Sequence, residues 1–347
     1  MKLVDALPSV RKTQALPELT SDTVISSIAG LGDLVIQMPL IEALVNKARS
    51  NGADPFVALR PAHLRLGEAC GWRVLEYENP LTHFFGHGIS MRVALDSLAA
   101  ISRLKKRGVQ SWIDLTGNAI NAVALRMARV GEVSSIVTRG GSSLIHHELP
   151  QSPFENEYNY RAQLADYFSS TLDFSVYNRL GVPSIVGPIV LAITTYNRWK
   201  SWPLTNFCKL AQAFPKRSFV AVGSLQEIPR SDLPAWEILR LLPNVSNQLD
   251  SLNLVQLAST IANARAFVGN DSGGTHFANA FLKEGAVIFG PTMSNTWHNP
   301  ESRLRLFHDQ SCPYHPCKVW KCDRPENWCM RSISAEMVIQ HLQTVLT

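Results

Sequence analysis

Four short loops gather the side chains able to do chemistry. In Gly30-Leu31-Gly32-Asp33 two glycines precede a carboxylate, and glycine lets a turn tighten and a ligand or backbone come close. Asp33 reads in two ways: as the N-cap of a following helix, or as a general base able to take a proton from a hydroxyl. The run Gly269-Asn270-Asp271-Ser272-Gly273-Gly274-Thr275-His276 is richer. A strand-like segment enters a Gly/Ser/Thr turn and a helix of small residues follows. The N–H groups at such a helix start, with its dipole, suit a diphosphate. Ser272 and Thr275 offer hydroxyls, and Gly273 and Gly274 admit phosphate close to the backbone. Asp271 repels phosphate, so it holds the loop or accepts from a sugar hydroxyl. His276 reads first as a packed, hydrogen-bonded histidine. Thr292, in Phe289-Gly290-Pro291-Thr292, adds a further hydroxyl. Lys200, in Arg198-Trp199-Lys200-Ser201-Trp202-Pro203, places a compact positive charge where a diphosphate would leave.

These loops need elements to position them, and the hydrophobic pattern supplies those. Strand-like runs at Thr23–Ala29, Phe56–Leu59, Arg73–Tyr77, Ser111–Leu115 and Val133–Val137 alternate with helical stretches at 34–48, 61–70, 90–107 and 118–129. Pro39 should kink or shorten the first helix. After a helical stretch over 158–171 and the segment 181–188, a second series begins, with strands at 189–193, 218–222, 266–269 and 286–289. Its helices fall at 204–214, 232–242, 253–263 and 275–282. Such alternation predicts α/β architecture with parallel sheets: two doubly wound, Rossmann-like domains facing a central cleft, with ligands beyond the carboxyl ends of the strands. The expected division is an irregular lead-in over 1–22, domains over 23–180 and 181–333, and a C-terminal helix over 334–347, capped by Ser334.

Composition narrows the class. With 347 residues, 46 % apolar and 18 % charged, the chain is neither a disordered tail, a fibre nor a membrane bundle. No apolar leader precedes Pro8, which predicts a cytoplasmic protein. A net charge of +5 is too mild for a nucleic-acid binder. The tightest basic cluster, Arg103 to Arg107, reads as a helix end, where cations suit the dipole. The mild excess does suit an anionic substrate. Arg60 and His63, with Arg92 and Arg139 behind them, are candidate cations for an acidic acceptor. Cys312, Cys317, Cys322 and Cys329 follow C-x4-C-x4-C-x6-C spacing. They are either a structural Zn or Fe site or reduced packing cysteines, because close C-x2-C knuckles are missing. Cys70 and Cys208 read as buried small hydrophobes.

Taken in order, Gly30-Leu31-Gly32-Asp33 with Pro39 and Leu44, Ile113-Asp114-Leu115-Thr116-Gly117-Asn118, Lys200-x-Trp202-Pro203, Asp271 to His276 and Phe289 to Thr292 resemble the heptosyltransferase family of bacterial lipopolysaccharide synthesis, glycosyltransferase family nine. The resemblance runs from about residue 23 to 345. It implies a GT-B fold, with acceptor on the N-terminal domain and nucleotide sugar on the C-terminal one. It also implies inverting, metal-independent transfer from ADP-L-glycero-D-manno-heptose to a lipid A-linked core oligosaccharide. By position Asp33 looks like the base, and Lys200, Thr292 and the 271–276 loop like donor contacts, with Thr194 beside them. Gly32, Arg60, His63, Asp114 and Asn118 look like acceptor contacts. The carrier would bring the enzyme, at most peripherally, to the inner face of the inner membrane.

Two departures stand out: Thr194-Thr195 where the family commonly has a glycine, and a longer lead-in. The cysteine-rich segment is a family trait. The nearest alternative keeps the fold and transfers another nucleotide sugar to a different glycan or protein. An NAD-dependent oxidoreductase is disfavoured, because Val35 breaks the Gly-x-Gly-x-x-Gly pattern and residues 51–54 offer only a loop where the acidic ribose ligand belongs. A catalytically silent nucleotide-sugar binder is disfavoured by Asp33 beside an intact phosphate loop.

Overall fold

The computed structural model describes residues 16, 18–79, 99, 102–103, 105–137, 142–151, 156–313, 317, 322 and 328–347. The chain divides into two compact units, Met1–Phe154 with Asn159–Val176, and Glu155–Tyr158 with Tyr177–Thr347.

The first unit is built on a parallel sheet of β1 (Thr23–Ser27), β2 (Phe56–Leu59), β3 (Arg73–Glu76), β4 (Ser111–Asp114), β5 (Glu132–Ile136) and β6 (His147–Leu149), in the order β3-β2-β1-β4-β5-β6. Val24 on β1 pairs with Phe56 on one side and Trp112 on the other. Strand order therefore reverses at β1, and the loops after β1 and β4 share the ligand-binding end of the switch point. Helix α1 (Leu31–Ser50) follows β1 and runs unbroken through Pro39, so the proline does not shorten it. Every residue from Leu34 to Val45 is buried, and packing on all sides outweighs the ~3 kcal/mol that an interior proline costs. Helix α2 (Leu64–Ala69) follows β2, and α3 (Ala119–Met127) joins β4 to β5.

Helix α4 (Glu157–Tyr167) precedes the second sheet, which comprises β7 (Ile189–Ala192), β8 (Phe219–Val222), β9 (Val245–Asn247), β10 (Ala266–Asn270), β11 (Gly285–Phe289) and β12 (Leu304–His308). These strands are parallel, in the order β12-β11-β10-β7-β8-β9. Here the reversal falls between β7 and β10, whose loops carry Lys200 and Asp271. The intervening helices are α5 (Leu204–Ala213), α6 (Leu233–Leu239), α7 (Leu254–Ala262), α8 (Gly273–Ala280) and α9 (Ser294–Trp297), followed by α10 (Trp328–Arg331) and α11 (Ala335–Val345). Ser334 caps α11, as its sequence predicts, by accepting from the Met337 N–H.

The interior strands lie within a residue or two of their predicted positions. Three edge strands, β6, β9 and β12, carry no readable sequence pattern. They are short or mixed in polarity, and sheet pairing decides them. The basic cluster ends in helical residues 105–107 closed by Gly108 at φ +62°, as expected. Most of the lead-in and of the 90–107 helix lies outside the described residues.

Candidate functional site

In the first unit Gly30, in extended conformation, is the N-cap of α1 and makes no side-chain cap bond. Asp33 is therefore the third helical residue rather than the cap. A carboxylate there faces the positive end of the helix dipole. Asp33 is half-buried, and a Cβ on Gly30 would lie 3.4 Å from its Oδ2, so the carboxylate folds back over the turn. Gly32 lies in the same first turn.

Asp114, one of the expected acceptor contacts, is only 1 % exposed. It accepts from the Thr116 N–H at 2.9 Å, the Asn121 amide at 2.9 Å and the Ser26 hydroxyl at 3.3 Å. Burial pushes its carboxyl above the usual range, opposed by those bonds. Asp114 thus organises the loop after β4, and its side chain cannot meet an acceptor. Asn118 is exposed and caps α3 by accepting from the Ile120 N–H at 2.9 Å. Between them Gly117 holds φ +73°, and a Cβ there would approach the Ile136 carbonyl to 2.8 Å. Gly117→Ala is therefore expected to cost on the order of 2 kcal/mol, read as a lower denaturant midpoint.

The two cations proposed around β2 differ in their surroundings. Arg60 is half-exposed and pairs with Glu78 at 3.5 Å, a surface contact of small energy. His63 is buried, and burial, then the Arg60 charge, push its imidazole down to about 4. It is neutral at physiological pH and supplies no cation. Arg92 and Arg139 lie outside the described residues.

The second unit brings three of the expected donor residues together. Lys200 Nζ lies 2.6 Å from Asp271 Oδ2, and the Thr292 hydroxyl donates to the same oxygen at 2.7 Å. Burial alone would raise the Asp271 carboxyl. The charges of Lys200 and His276, with hydrogen bonds from Lys200 and Thr292, outweigh that and hold it below the usual range. Asp271 thus holds the loop and presents Lys200 and Thr292 side by side. Next to it Ser272 caps α8 without a side-chain cap bond, and Ser272 and Gly273 are half-exposed. The N–H groups of this helix start, a nearby hydroxyl and a lysine form a constellation of the chemistry that suits an anion.

Two residues leave that constellation. The Thr275 hydroxyl donates to the Asn270 carbonyl at 2.6 Å, and the residue is 1 % exposed. Its hydroxyl closes the turn and is not available to phosphate. Gly274 is buried, and a Cβ on it would make ordinary contacts with Ala192, Ile261 and Phe267; it faces the packed interior. Thr194 is also buried, and its hydroxyl accepts from the Ser224 N–H at 3.0 Å, which ties it to the loop after β8.

His276 is packed and hydrogen-bonded, as its first reading has it: its Nδ1 lies 2.8 Å from the Tyr158 hydroxyl. Burial dominates and lowers it to about 4 despite the Asp271 charge. His63 and His276 therefore both stay neutral in the fold while their unfolded counterparts protonate near 6.5. The unfolded chain then binds more protons between pH 6.5 and 4, so stability falls with pH across that window. Each histidine contributes a loss of about 2 kcal/mol by pH 5. Equal denaturant midpoints at pH 7 and pH 5 would contradict both assignments.

Sequence reasoning missed Asn270 and Tyr158. Asn270 is fully buried; its Oδ1 accepts from the Trp202 N–H at 2.9 Å, and its amide donates to the Ile193 carbonyl at 3.2 Å. It thereby fixes the Lys200 loop to the end of β7. Its place inside the glycine-rich run was the available signal. Tyr158 lies 118 positions from His276, and no local pattern links them.

None of the six cysteines forms a disulfide. Cys312 and Cys329 are buried, and Cys317 and Cys322 half-buried. Burial, then the neighbouring Cys317, Cys322 and Cys312 thiols, push Cys329 up to about 12. Among the described residues no group of three or more His, Cys, Asp or Glu side chains is arranged to hold a metal ion. Cys70 and Cys208 are buried, as expected.

Comparison with known proteins places this geometry. The structure is similar to E. coli heptosyltransferase WaaC with ADP, at 14 % identity, covering 93 % of this chain and 99 % of that one with a TM-score of 0.71. It is similar to E. coli ADP-heptose lipopolysaccharide heptosyltransferase II at 18 % identity, covering 93 % and 98 %, with a TM-score of 0.64. It also matches TibC, an iron-containing dodecameric glycosyltransferase of enterotoxigenic E. coli, at 13 % identity, covering 96 % and 78 %, with a TM-score of 0.51. No curated protein matches at the level of sequence. These likenesses bear out the expected fold, two parallel α/β sheets of the GT-B heptosyltransferase type. The family model for glycosyltransferase family 9 (heptosyltransferase) matches residues 148–325, just over half of the sequence and all three loops of the second unit's site. The chain is a member of glycosyltransferase family 9, the heptosyltransferases.

Proposed function

We propose that this glycosyltransferase moves a heptose, or a related sugar, from an ADP-linked donor to a lipopolysaccharide core or similar glycan, with inversion and with Asp33 as base. The observation that carries the reading is the Lys200–Asp271–Thr292 cluster at the start of α8, in a chain of the heptosyltransferase family. Similar structures include WaaC with ADP and with a fluorinated ADP-heptose.

In this reaction the acceptor hydroxyl gives its proton to the Asp33 carboxylate, and the acceptor oxygen bonds to the anomeric carbon. The bond from that carbon to the diphosphate breaks, and ADP leaves with the electron pair. Lys200 supports the departure. Its ammonium has three donors, so it can keep Asp271 and still bond a phosphate oxygen, as the Ser272 hydroxyl and the α8 amides add further donors, while Thr292 spends its one O–H on Asp271. Thr194 sets the floor beside them. On the acceptor side the reading uses Asp33, Gly32, Asn118 and Arg60, and it needs no metal. On this reading residues 23–180 serve the acceptor and 181–333 the nucleotide sugar. Among the described residues no helix is long and apolar enough to cross a membrane, and the proposal places the enzyme in the cytoplasm, in peripheral contact with the inner membrane at most.

The departure at Thr194-Thr195 favours a second reading, with the same chemistry on another nucleotide sugar. A panel of ADP-, GDP- and UDP-linked sugars decides between them. At 100 times its Kd a ligand stabilises the native state by about 2.7 kcal/mol, so ADP-heptose is expected to raise Tm clearly while GDP and UDP sugars leave it unchanged. A shift with UDP or GDP sugars alone would overturn the ADP-heptose assignment.

A further inference from the structure

The first unit holds a buried polar network that this reaction leaves unused. Asp114 stands at its centre. Its Oδ2 takes the Asn121 amide, and Asn121 Oδ1 takes the Tyr77 hydroxyl at 2.7 Å. Its Oδ1 takes the Thr116 N–H and the Ser26 hydroxyl, and Ser26 Oγ takes the Trp112 indole N–H at 2.8 Å. Ser26, Trp112, Asp114 and Asn121 are all at most 1 % exposed. The network therefore knots together the carboxyl ends of β1, β3 and β4 and the first turn of α3.

Two of the bonds around this knot reach the segment that carries Asp33. The Ile28 N–H, just after β1, donates to Thr116 Oγ1 at 3.1 Å. The Gln37 amide, on α1, donates to the Leu115 carbonyl at 3.3 Å. Gln37 lies four residues beyond Asp33 and so shares its face of the helix. The segment is thus pinned on both sides of Asp33 to residues 115 and 116, and Asp114 sets the course of those two residues through its bond to the Thr116 N–H. Gly117 at φ +73° completes the turn.

We propose that Asp114 is a positioning residue for Asp33: the buried carboxylate fixes the turn after β4, and that turn fixes the height and orientation of the base. This inference rests on the reading of Asp33 as the base. Asp114→Asn keeps the shape but replaces one acceptor atom by a donor facing the donors of Thr116 or Asn121. Displacing a reacting group by about 1 Å costs on the order of 100-fold in rate.

The test is a double-mutant cycle on kcat with ADP-heptose and a core acceptor, comparing wild type, Asp114→Asn, Asp33→Asn and the double variant. The expected result is a ten- to hundred-fold loss of kcat in Asp114→Asn with donor KM unchanged, and less than a two-fold further loss when Asp33 is already Asn. An equal loss in both backgrounds, or a normal kcat in Asp114→Asn, overturns the positioning role and leaves the base reading standing. Normal turnover in Asp33→Asn removes the base reading and this inference with it. Thr116→Val keeps Asp114 and cuts only the bond from Ile28, so it reads the same link if Asp114→Asn does not fold. It is expected to lower kcat several-fold at constant donor KM, and full activity would overturn the proposal.

Discussion

Asp33→Ala is expected to lose between about 100- and 10,000-fold in turnover, the range typical of a lost general base, with donor affinity unchanged. A structural role predicts something much smaller. Asp33 lies in the first turn of α1, is half-buried, and is not the helix cap, and its interaction with the helix dipole contributes about 0.3–1 kcal/mol. Loss of that energy lowers Tm slightly and leaves the folded enzyme at full rate. Steady-state kinetics beside a thermal melt separates the two. A variant with near-normal kcat contradicts the base assignment, and one that loses donor binding in step with kcat places Asp33 in the nucleotide site.

Lys200→Ala is expected to cost about 100- to 1,000-fold in kcat, as removal of one preorganised charge-stabilising donor does, and also to destabilise the fold. The second effect follows from Asp271. With only 4 % of its side chain exposed, it would keep the Thr292 hydroxyl as a partner but lose its cation. An uncompensated buried charge costs about 3–5 kcal/mol. Lys200→Ala with Asp271→Asn should recover much of that stability and none of the activity, a split that double-mutant analysis reads directly. The pH dependence has a definite sign. The Asp271 carboxyl is held below its ordinary 3.8 in the fold, so its stabilisation is fully present above that value and is lost as pH falls through the lower folded value. Lys200→Ala should remove this acid-range loss. A Lys200→Ala enzyme with wild-type stability and kcat would show that the ion pair serves neither purpose.

The sequence made the architecture readable because interior strands of parallel sheets are short, β-rich and apolar, and the helices between them are long enough to show their period. That pattern places the loops after β1, β4, β7, β10 and β11, where chemistry belongs in such sheets. It also leads to Lys200, Asp271 and Thr292, since a lysine, a carboxylate and a hydroxyl at neighbouring strand ends can converge. What it misses depends on burial and direction. The residue types of His63 and Asp114 suggest acceptor contacts, yet each is shut inside, one neutral and the other at the heart of a polar knot. Thr275 and Gly274 sit within a phosphate-loop motif, but the Thr275 hydroxyl closes the turn and Gly274 is buried. Asn270 and Tyr158 are found only through partners that the fold brings from elsewhere in the sequence. Asp33 itself stands three residues after the cap, and only backbone geometry shows that Gly30 takes that place.

The most direct measurement is product analysis after incubation with ADP-heptose and a lipid A-linked core acceptor, with ADP release followed in parallel. The account predicts that the acceptor gains one heptose for each ADP released, and that both stop together in Asp33→Asn. An acceptor left unmodified in the presence of ADP-heptose, but glycosylated from another nucleotide sugar, would contradict it.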